Sequence, residues 1–234
     1  MSLFSLDSKV ALVTGAANGN GKAIASGFKE AGASVISLDL ENADVVCDVT
    51  DYDKMEVVLS SLDKVDILVN NAGVTYPAPF LSYPDDEWDR TYEVNLKAPF
   101  KLMQLVGEKM KTNKCGGSII NITSLNAELA FPDNPAYMAF KGALKQLTKS
   151  AAIDLGKYDI RVNNIGPGYF KTNMTRASWE DKEKYNARKK RTMLNRWGSP
   201  ADLVGIAVFL ASDASSYITS QDIYVDGGWS AKGL

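Results

Sequence analysis

Tyr137 and Lys141 stand four residues apart, and Ser124 precedes the tyrosine by thirteen. On a helix that spacing puts the phenol and the amine one turn apart on a shared face. Such a pair can move a proton. A phenol with a pKa of about 10 is protonated at neutral pH, and a neighbouring ammonium favours its ionised form. A serine hydroxyl nearby can bond a reacting oxygen as charge builds on it or leaves it. The chain contains no histidine, which removes a Ser-His-Asp triad, a His-ligated zinc and an imidazole base. Acid–base work therefore falls to Tyr, Lys, Asp or Glu. A second Tyr-x-x-x-Lys, Tyr185 to Lys189, even has Thr172 thirteen residues ahead of it. It lies in SWEDKEKYNARKKR, where charges crowd out any apolar face, and reads as a solvated helix.

The elements that would hold Tyr137 and Lys141 follow from periodicity. Short β-branched runs at Lys9–Thr14, Ser34–Leu38, Asp44–Cys47, Val65–Asn70, Ser118–Ile122, Ile160–Ile165 and Asp222–Val225 read as buried strands. Helical spacing fills Lys22–Ala31, Asp85–Lys111, Ala136–Gly156 and Pro200–Ser212 between them. That alternation predicts an α/β fold, a doubly wound parallel sheet with helices on both faces. No linker or repeat interrupts it, so residues 1–234 are expected to form one domain. In the helix after Pro135, Phe140, Leu144, Leu147, Ala151 and Leu155 make an apolar stripe, which predicts that Tyr137 and Lys141 occupy another face.

The first strand runs into Gly15-Ala16-Ala17-Asn18-Gly19-Asn20-Gly21 and then a helix. Glycines at that junction allow a tight turn and let backbone approach a pyrophosphate at the positive helix terminus. The second strand ends at Asp39, about where a dinucleotide fold places the acid that accepts bonds from a ribose 2′-hydroxyl. A carboxylate there repels a 2′-phosphate, and neither Asn18 nor Leu40 supplies a cation to hold one. The expected cofactor is NAD rather than NADP.

Taken together, Thr14–Gly21 as TGxxxGxG, Asn70-Asn71-Ala72-Gly73, Asn95, Ser124, Tyr137-x-x-x-Lys141, Pro167-Gly168 and Asp226-Gly227-Gly228 resemble the short-chain dehydrogenases/reductases along the whole chain. The resemblance implies a Rossmann fold and an NAD-dependent oxidoreductase acting on CH–OH groups. It implies catalysis by Asn95, Ser124, Tyr137 and Lys141, with the lysine also holding the nicotinamide ribose and Asn95 fixing a water in a proton relay. Gly15, Asn18, Gly19, Asn20, Gly21 and Asp39 are then expected to bind cofactor. Asp48 and Val49 should flank adenine, Asn71, Ala72 and Gly73 should line the cofactor, and Pro167, Gly168, Phe170 and Thr172 should lie near nicotinamide. Two departures stand out: Asn20 replaces the usual Ile or Leu, and the short segment from Asp39 to Asp48 leaves little room for a helix.

Residues 172–197 are the expected substrate lid. The run Gly168–Met174, with Arg196–Pro200 and Asp226–Trp229, is most similar to sugar-acid members such as gluconate 5-dehydrogenases and 2-deoxygluconate 3-dehydrogenases. A sugar, sugar acid or polyol is the expected substrate, with lipid or aromatic ketones, or a non-catalytic NAD-binding regulator, as alternatives. An epimerase of the extended branch is disfavoured because those enzymes carry a longer C-terminal substrate domain. By the same resemblance the chain should form a homotetramer through its long helices and C-terminal strand. A net charge of −2 argues against nucleic acid. The longest apolar run, near Leu203–Ala211, is too short to span a bilayer. Cys47 and Cys115 fit no metal or redox spacing and are expected to be reduced, in or near the core, in a cytoplasmic protein. No metal is expected.

Overall fold

The computed structural model describes residues 3–233. Seven strands form one parallel sheet: β1 (Val10–Thr14), β2 (Ser34–Asp39), β3 (Val45–Val46), β4 (Ile67–Asn70), β5 (Gly117–Ile122), β6 (Ile160–Pro167) and β7 (Asp222–Val225). Their order is β3-β2-β1-β4-β5-β6-β7, so the direction of winding reverses between β1 and β4. That switch opens a crevice beyond the carboxyl ends of those strands, where ligands of such sheets bind.

Strand alternation builds two cores. Leu12 and Leu68 face α2 (Tyr52–Ser60), α4 (Ala98–Asn113) and α5 (Pro135–Leu155), while Ala11, Val13, Ile67 and Val69 face α1 (Gly19–Glu30) and α8 (Val204–Ala211). Both faces of the sheet are thus covered, as the near-continuous apolar strands require. The expected helix over 85–111 is interrupted: α3 (Asp85–Tyr92) passes through a π-helical turn at Glu93–Lys97 before α4 begins. Helix α2 escapes the periodicity reading, although Asp51 caps it by accepting from the Lys54 N–H at 3.1 Å. The segment from 40 to 44 holds no helix; it turns through Asn42 at φ 50°. Beyond β6, α6 (Arg176–Trp179) and α7 (Lys182–Arg191) stand over the carboxyl ends of the strands.

Helix α5 is seated differently from its apolar stripe. Phe140 and Leu144 are buried, yet so are Lys141 and Thr148, while Leu147, Ala151 and Leu155 are half-buried. Lys141 therefore belongs to the buried face, against expectation, because the helix is rotated toward the sheet by polar contacts. Asn70 Nδ2 donates to Asn121 Oδ1 at 2.8 Å, Asn121 Nδ2 to Thr148 Oγ1 at 2.8 Å, and Thr148 Oγ1 to Asn164 Oδ1 at 2.6 Å. Asn164 Nδ2 then reaches Asp222 Oδ1 at 2.6 Å. One hydroxyl on α5 thereby joins β5 to β6 through the buried interior.

Thr148→Val keeps the side-chain shape and removes that hydroxyl. It leaves two buried amides short of a partner, and should lower unfolding free energy by about 2–4 kcal/mol. Urea unfolding of both proteins checks this; a loss no larger than that of a surface substitution would show that the amides find other partners.

Candidate active site

Strand β5 ends at Ile122, and two residues later the chain is fully extended at Ser124 before a short 3-10 turn over Leu125–Ala127. Ser124 Oγ accepts the Asn126 N–H at 3.2 Å and donates to Asn126 Oδ1 at 3.2 Å, which fixes the hydroxyl at the strand mouth. Helix α5 starts nearby with Pro135 in its first turn, where a missing N–H costs nothing. Asn134 just before it donates to Thr75 at 2.9 Å, so the helix start is tied to the loop beyond β4. Tyr137 and Lys141 follow, with Lys141 Nζ 5.6 Å from the centre of the Tyr137 ring.

The Lys141 ammonium is buried and donates to the Ile122 carbonyl at 2.6 Å. Burial pushes its pKa down to about 8. Tyr137 departs from expectation. Burial of its hydroxyl end raises its pKa, Ser124 opposes this by bonding the ionised oxygen, and Tyr169 adds to the rise. The expected lowering by Lys141 is not the dominant influence, because desolvation of the phenolate outweighs a cation held off on a backbone carbonyl.

These groups line a cleft of about 1140 Å³ at the mouth of the sheet. Ordinary ligand clefts run to roughly 300–1,000 Å³, so this one can hold two reactants together. Ser124, Tyr137 and Lys141 share it with Gly15, Asn18, Gly19, Asn20, Asp39, Asp48, Val49, Asn71, Ala72, Gly73, Pro167, Gly168, Phe170 and Thr172. Two expected residues are set back from it. Gly21 is buried behind the loop, where an added Cβ would lie 2.1 Å from the Gly15 carbonyl oxygen. Asn95, in the π-helical turn, donates to the Val74 carbonyl at 2.8 Å and accepts its N–H at 2.9 Å, so its side chain positions the wall.

The glycine loop is shaped partly by the protein itself. A Cβ on Gly15, at φ 64°, would meet Asn71 Nδ2 at 2.8 Å, because that amide donates to the carbonyls of Thr14 and Gly15, each at 2.9 Å. Gly19, at φ 54°, lies against Thr172, whose methyl an added Cβ would meet at 3.4 Å. Asp39 does double duty: its carboxylate accepts the Ala17 N–H at 2.8 Å and the Leu40 N–H at 2.7 Å. A carboxylate has about four acceptor sites, so both oxygens keep capacity for ribose hydroxyls. Asp48 pairs with Arg90 at 2.7 Å. Burial alone would raise the Asp48 pKa, but bonds from Thr50 and Arg90 outweigh it and hold the acid below its ordinary value.

These residues fit a nicotinamide dinucleotide. A backbone cradle at the start of α1, a ribose acid with spare acceptors and a buried ammonium facing the cleft are what its phosphates and two riboses need. A family model described as enoyl-(acyl carrier protein) reductase matches residues 15–230. The chain belongs to the short-chain dehydrogenase/reductase family. It is an oxidoreductase of that family acting on CH–OH groups with a nicotinamide cofactor. This short-chain dehydrogenase/reductase is 41% identical to the 2-dehydro-3-deoxy-D-gluconate 5-dehydrogenase of Pseudoalteromonas atlantica, over 97% of each chain. It is 39% identical to the gluconate 5-dehydrogenase of Gluconobacter oxydans, over 97% of this chain and 96% of the relative. The crystal structure of a gluconate 5-dehydrogenase from Burkholderia cenocepacia in complex with NADP and tartrate superposes with a TM-score of 0.94, at 35% identity over 98% of each chain.

Sequence reasoning missed several cleft residues of this dehydrogenase. Arg90, Phe131, Tyr169 and Trp229 line it, and so do Lys184, Arg188 and Arg191 of α7. The expected solvated helix keeps no residue buried, and one of its sides lines the cleft. Cys115 is exposed rather than in the core, and Cys47 is buried. Among the described residues no cluster suited to a metal is found, and no helix is long and apolar enough to cross a membrane.

Tyr137→Phe removes the phenol placed beside both Ser124 and Lys141. It should cut kcat by about 10²–10⁴-fold while the cofactor still binds, as read by quenching of protein fluorescence. Near-normal turnover would remove Tyr137 from catalysis.

Proposed function

We propose that this enzyme moves a hydride between NAD(H) and the secondary alcohol or ketone of a sugar, sugar acid or polyol. The observation that carries the reading is the convergence of Ser124, Tyr137 and Lys141 on one wall of a cleft whose far end holds Asp39. Nicotinamide, when bound, would accept or return the hydride. The protein has to handle the proton. Tyr137 takes it from the hydroxyl during oxidation and returns it during reduction, and Ser124 steadies the reacting oxygen. Lys141 supplies positive charge beside that phenol and would hold a ribose hydroxyl of the cofactor as well as the Ile122 carbonyl. Residues 172–197 form the substrate lid of a single domain. The sugar-acid reading draws on the relatives named above, which are dehydrogenases of gluconate or of 2-dehydro-3-deoxygluconate by name.

The preference for NAD rests on Asp39 and on the state of the nearest cation. Arg90, the cation lining the adenine end, is already neutralised by Asp48, so a 2′-phosphate would face a carboxylate without a free positive partner. The Burkholderia relative holds NADP, so the proposed preference for NAD rests on Asp39 and Arg90 of this chain. A homotetramer is consistent with apolar side chains left uncovered on the long helices, Phe100 on α4 and Ile153 on α5, and sedimentation as a monomer would refute it. A cytoplasmic location fits the two unpaired cysteines.

Asp39→Asn removes the charge and keeps an acceptor for Ala17. The ratio of kcat/KM with NAD to that with NADP should fall tenfold or more, about 1.4 kcal/mol of discrimination. Assays of gluconate, glucitol and other polyols with each cofactor, followed by nicotinamide absorbance, measure it. An unchanged ratio would overturn the role given to Asp39, and no turnover of any polyhydroxy substrate would overturn the proposed function.

A further inference from the structure

Helix α7 is charge-rich throughout, yet its cations are not equivalent. Lys184, Arg188 and Arg191, at steps of four and three, line the cleft, whereas Lys182, Lys189 and Lys190 do not. Arg188 is the best placed of the three. Its guanidinium stacks 4.6 Å from the centre of the Tyr169 ring, and Tyr169 is itself packed by Phe131, Trp197 and Trp229. That position is one side chain removed from the chemistry, since Tyr169 is close enough to Tyr137 to disfavour its ionisation. Arg188 has little to satisfy it. Nε is buried without a partner, and Nη1 reaches only the Lys184 carbonyl at 3.5 Å. Among the described residues no ion pair involves Arg188 or Arg191, while Lys184 meets Asp181 at 3.6 Å. The acids lining the cleft are Asp39 and Asp48, at the adenine end, and Asp133, beside the start of α5.

We infer that Arg188, flanked by Lys184 and Arg191, is a subsite for the carboxylate of an anionic polyhydroxy substrate, seated across Tyr169 from the reacting hydroxyl. An arginine held by an aromatic face is pre-oriented and presents a fork of N–H donors that a carboxylate matches in pairs. The proposal rests on the alcohol-dehydrogenase reading of the same cleft and narrows its substrate to acids. It also gives the charge-dense helix a task other than solubility.

Arg188→Gln and Arg188→Lys test it, assayed with D-gluconate and with glucitol, its neutral counterpart of the same chain length. The acid-to-polyol ratio of kcat/KM should fall by about 10–100-fold in Arg188→Gln, mostly through KM for the acid, and recover partly in Arg188→Lys. A ratio that stays within about twofold in both variants overturns the subsite. So does a rise in KM for NAD that accounts for the whole effect, since the basic face would then serve cofactor phosphates. Calorimetric binding of D-gluconate to the NADH-loaded protein needs no turnover. Binding that disappears in Arg188→Gln supports the subsite even if the proposed reaction fails, and binding that persists unchanged refutes it.

Discussion

The site is organised around a buried ammonium held, among the described residues, by one backbone carbonyl. Lys141 is 3% exposed and its bond runs to the Ile122 carbonyl. An amine stripped of water and given no carboxylate releases its proton easily, which is why its pKa lies near 8. Between about 8 and the ordinary 10.5 the unfolded chain still carries a proton that the folded chain has released, so stability gains as pH rises through that window and the full cost is felt below it. A fold tolerates such a group where function requires it. The charge also decides where the other two groups must be. Ile122 lies two residues before Ser124, and Lys141 one turn after Tyr137, so the Lys141–Ile122 bond favours the register of β5 and α5 that brings hydroxyl and phenol together.

One bond could not hold that register alone. An apolar helix face packs nearly as well after a small rotation or slide, whereas directional bonds accept one arrangement. The Asn121–Thr148–Asn164 bridge provides them two turns further along α5, and Asn134 with Thr75 provides another at the helix start. A similar economy shapes the cofactor end. Asn71 holds the carbonyls of Thr14 and Gly15, while Asp39 holds the Ala17 N–H. The loop that should cradle phosphates is thus built before any ligand arrives, which lowers the ordering cost of binding.

Most of this was legible where local chemistry and fold agree. Short β-branched, apolar runs located every strand, and the glycine loop, Asp39, Ser124 and Tyr137 fell on one cleft because strand ends converge at a topological switch. What stayed hidden was set by packing partners distant in sequence. Nothing near Lys141 announces that Thr148 will be bonded from β5 and β6, so the apolar stripe pointed to the wrong face. Gly21 looked like a ligand contact and is a packing glycine, since its neighbour is the Gly15 carbonyl. The ionisation of Tyr137 could not be read from its spacing to Lys141, because burial, a tertiary quantity, dominates it.

Helix α7 failed to declare itself for a different reason. Amphipathicity is usually read as apolar against polar, on the premise that the inner face of a helix meets a core. Here the inner face meets a cleft, and both faces are charged. The distinction that matters is between cations that look away from the cleft and cations that line it. A net charge of −2 for the whole chain conceals this arrangement. Along one cleft an uncompensated acid, Asp39, stands at the adenine end and an uncompensated base, Arg188, stands beyond the reacting tyrosine. Opposite signs at the two ends can select two different reactants: one by repelling an extra phosphate, the other by attracting a carboxylate. They can do so without altering the Ser–Tyr–Lys group between them. Specificity in such a cleft can therefore change at either end by one residue, while the bond between Lys141 and Ile122 and the chemistry it positions remain as they are.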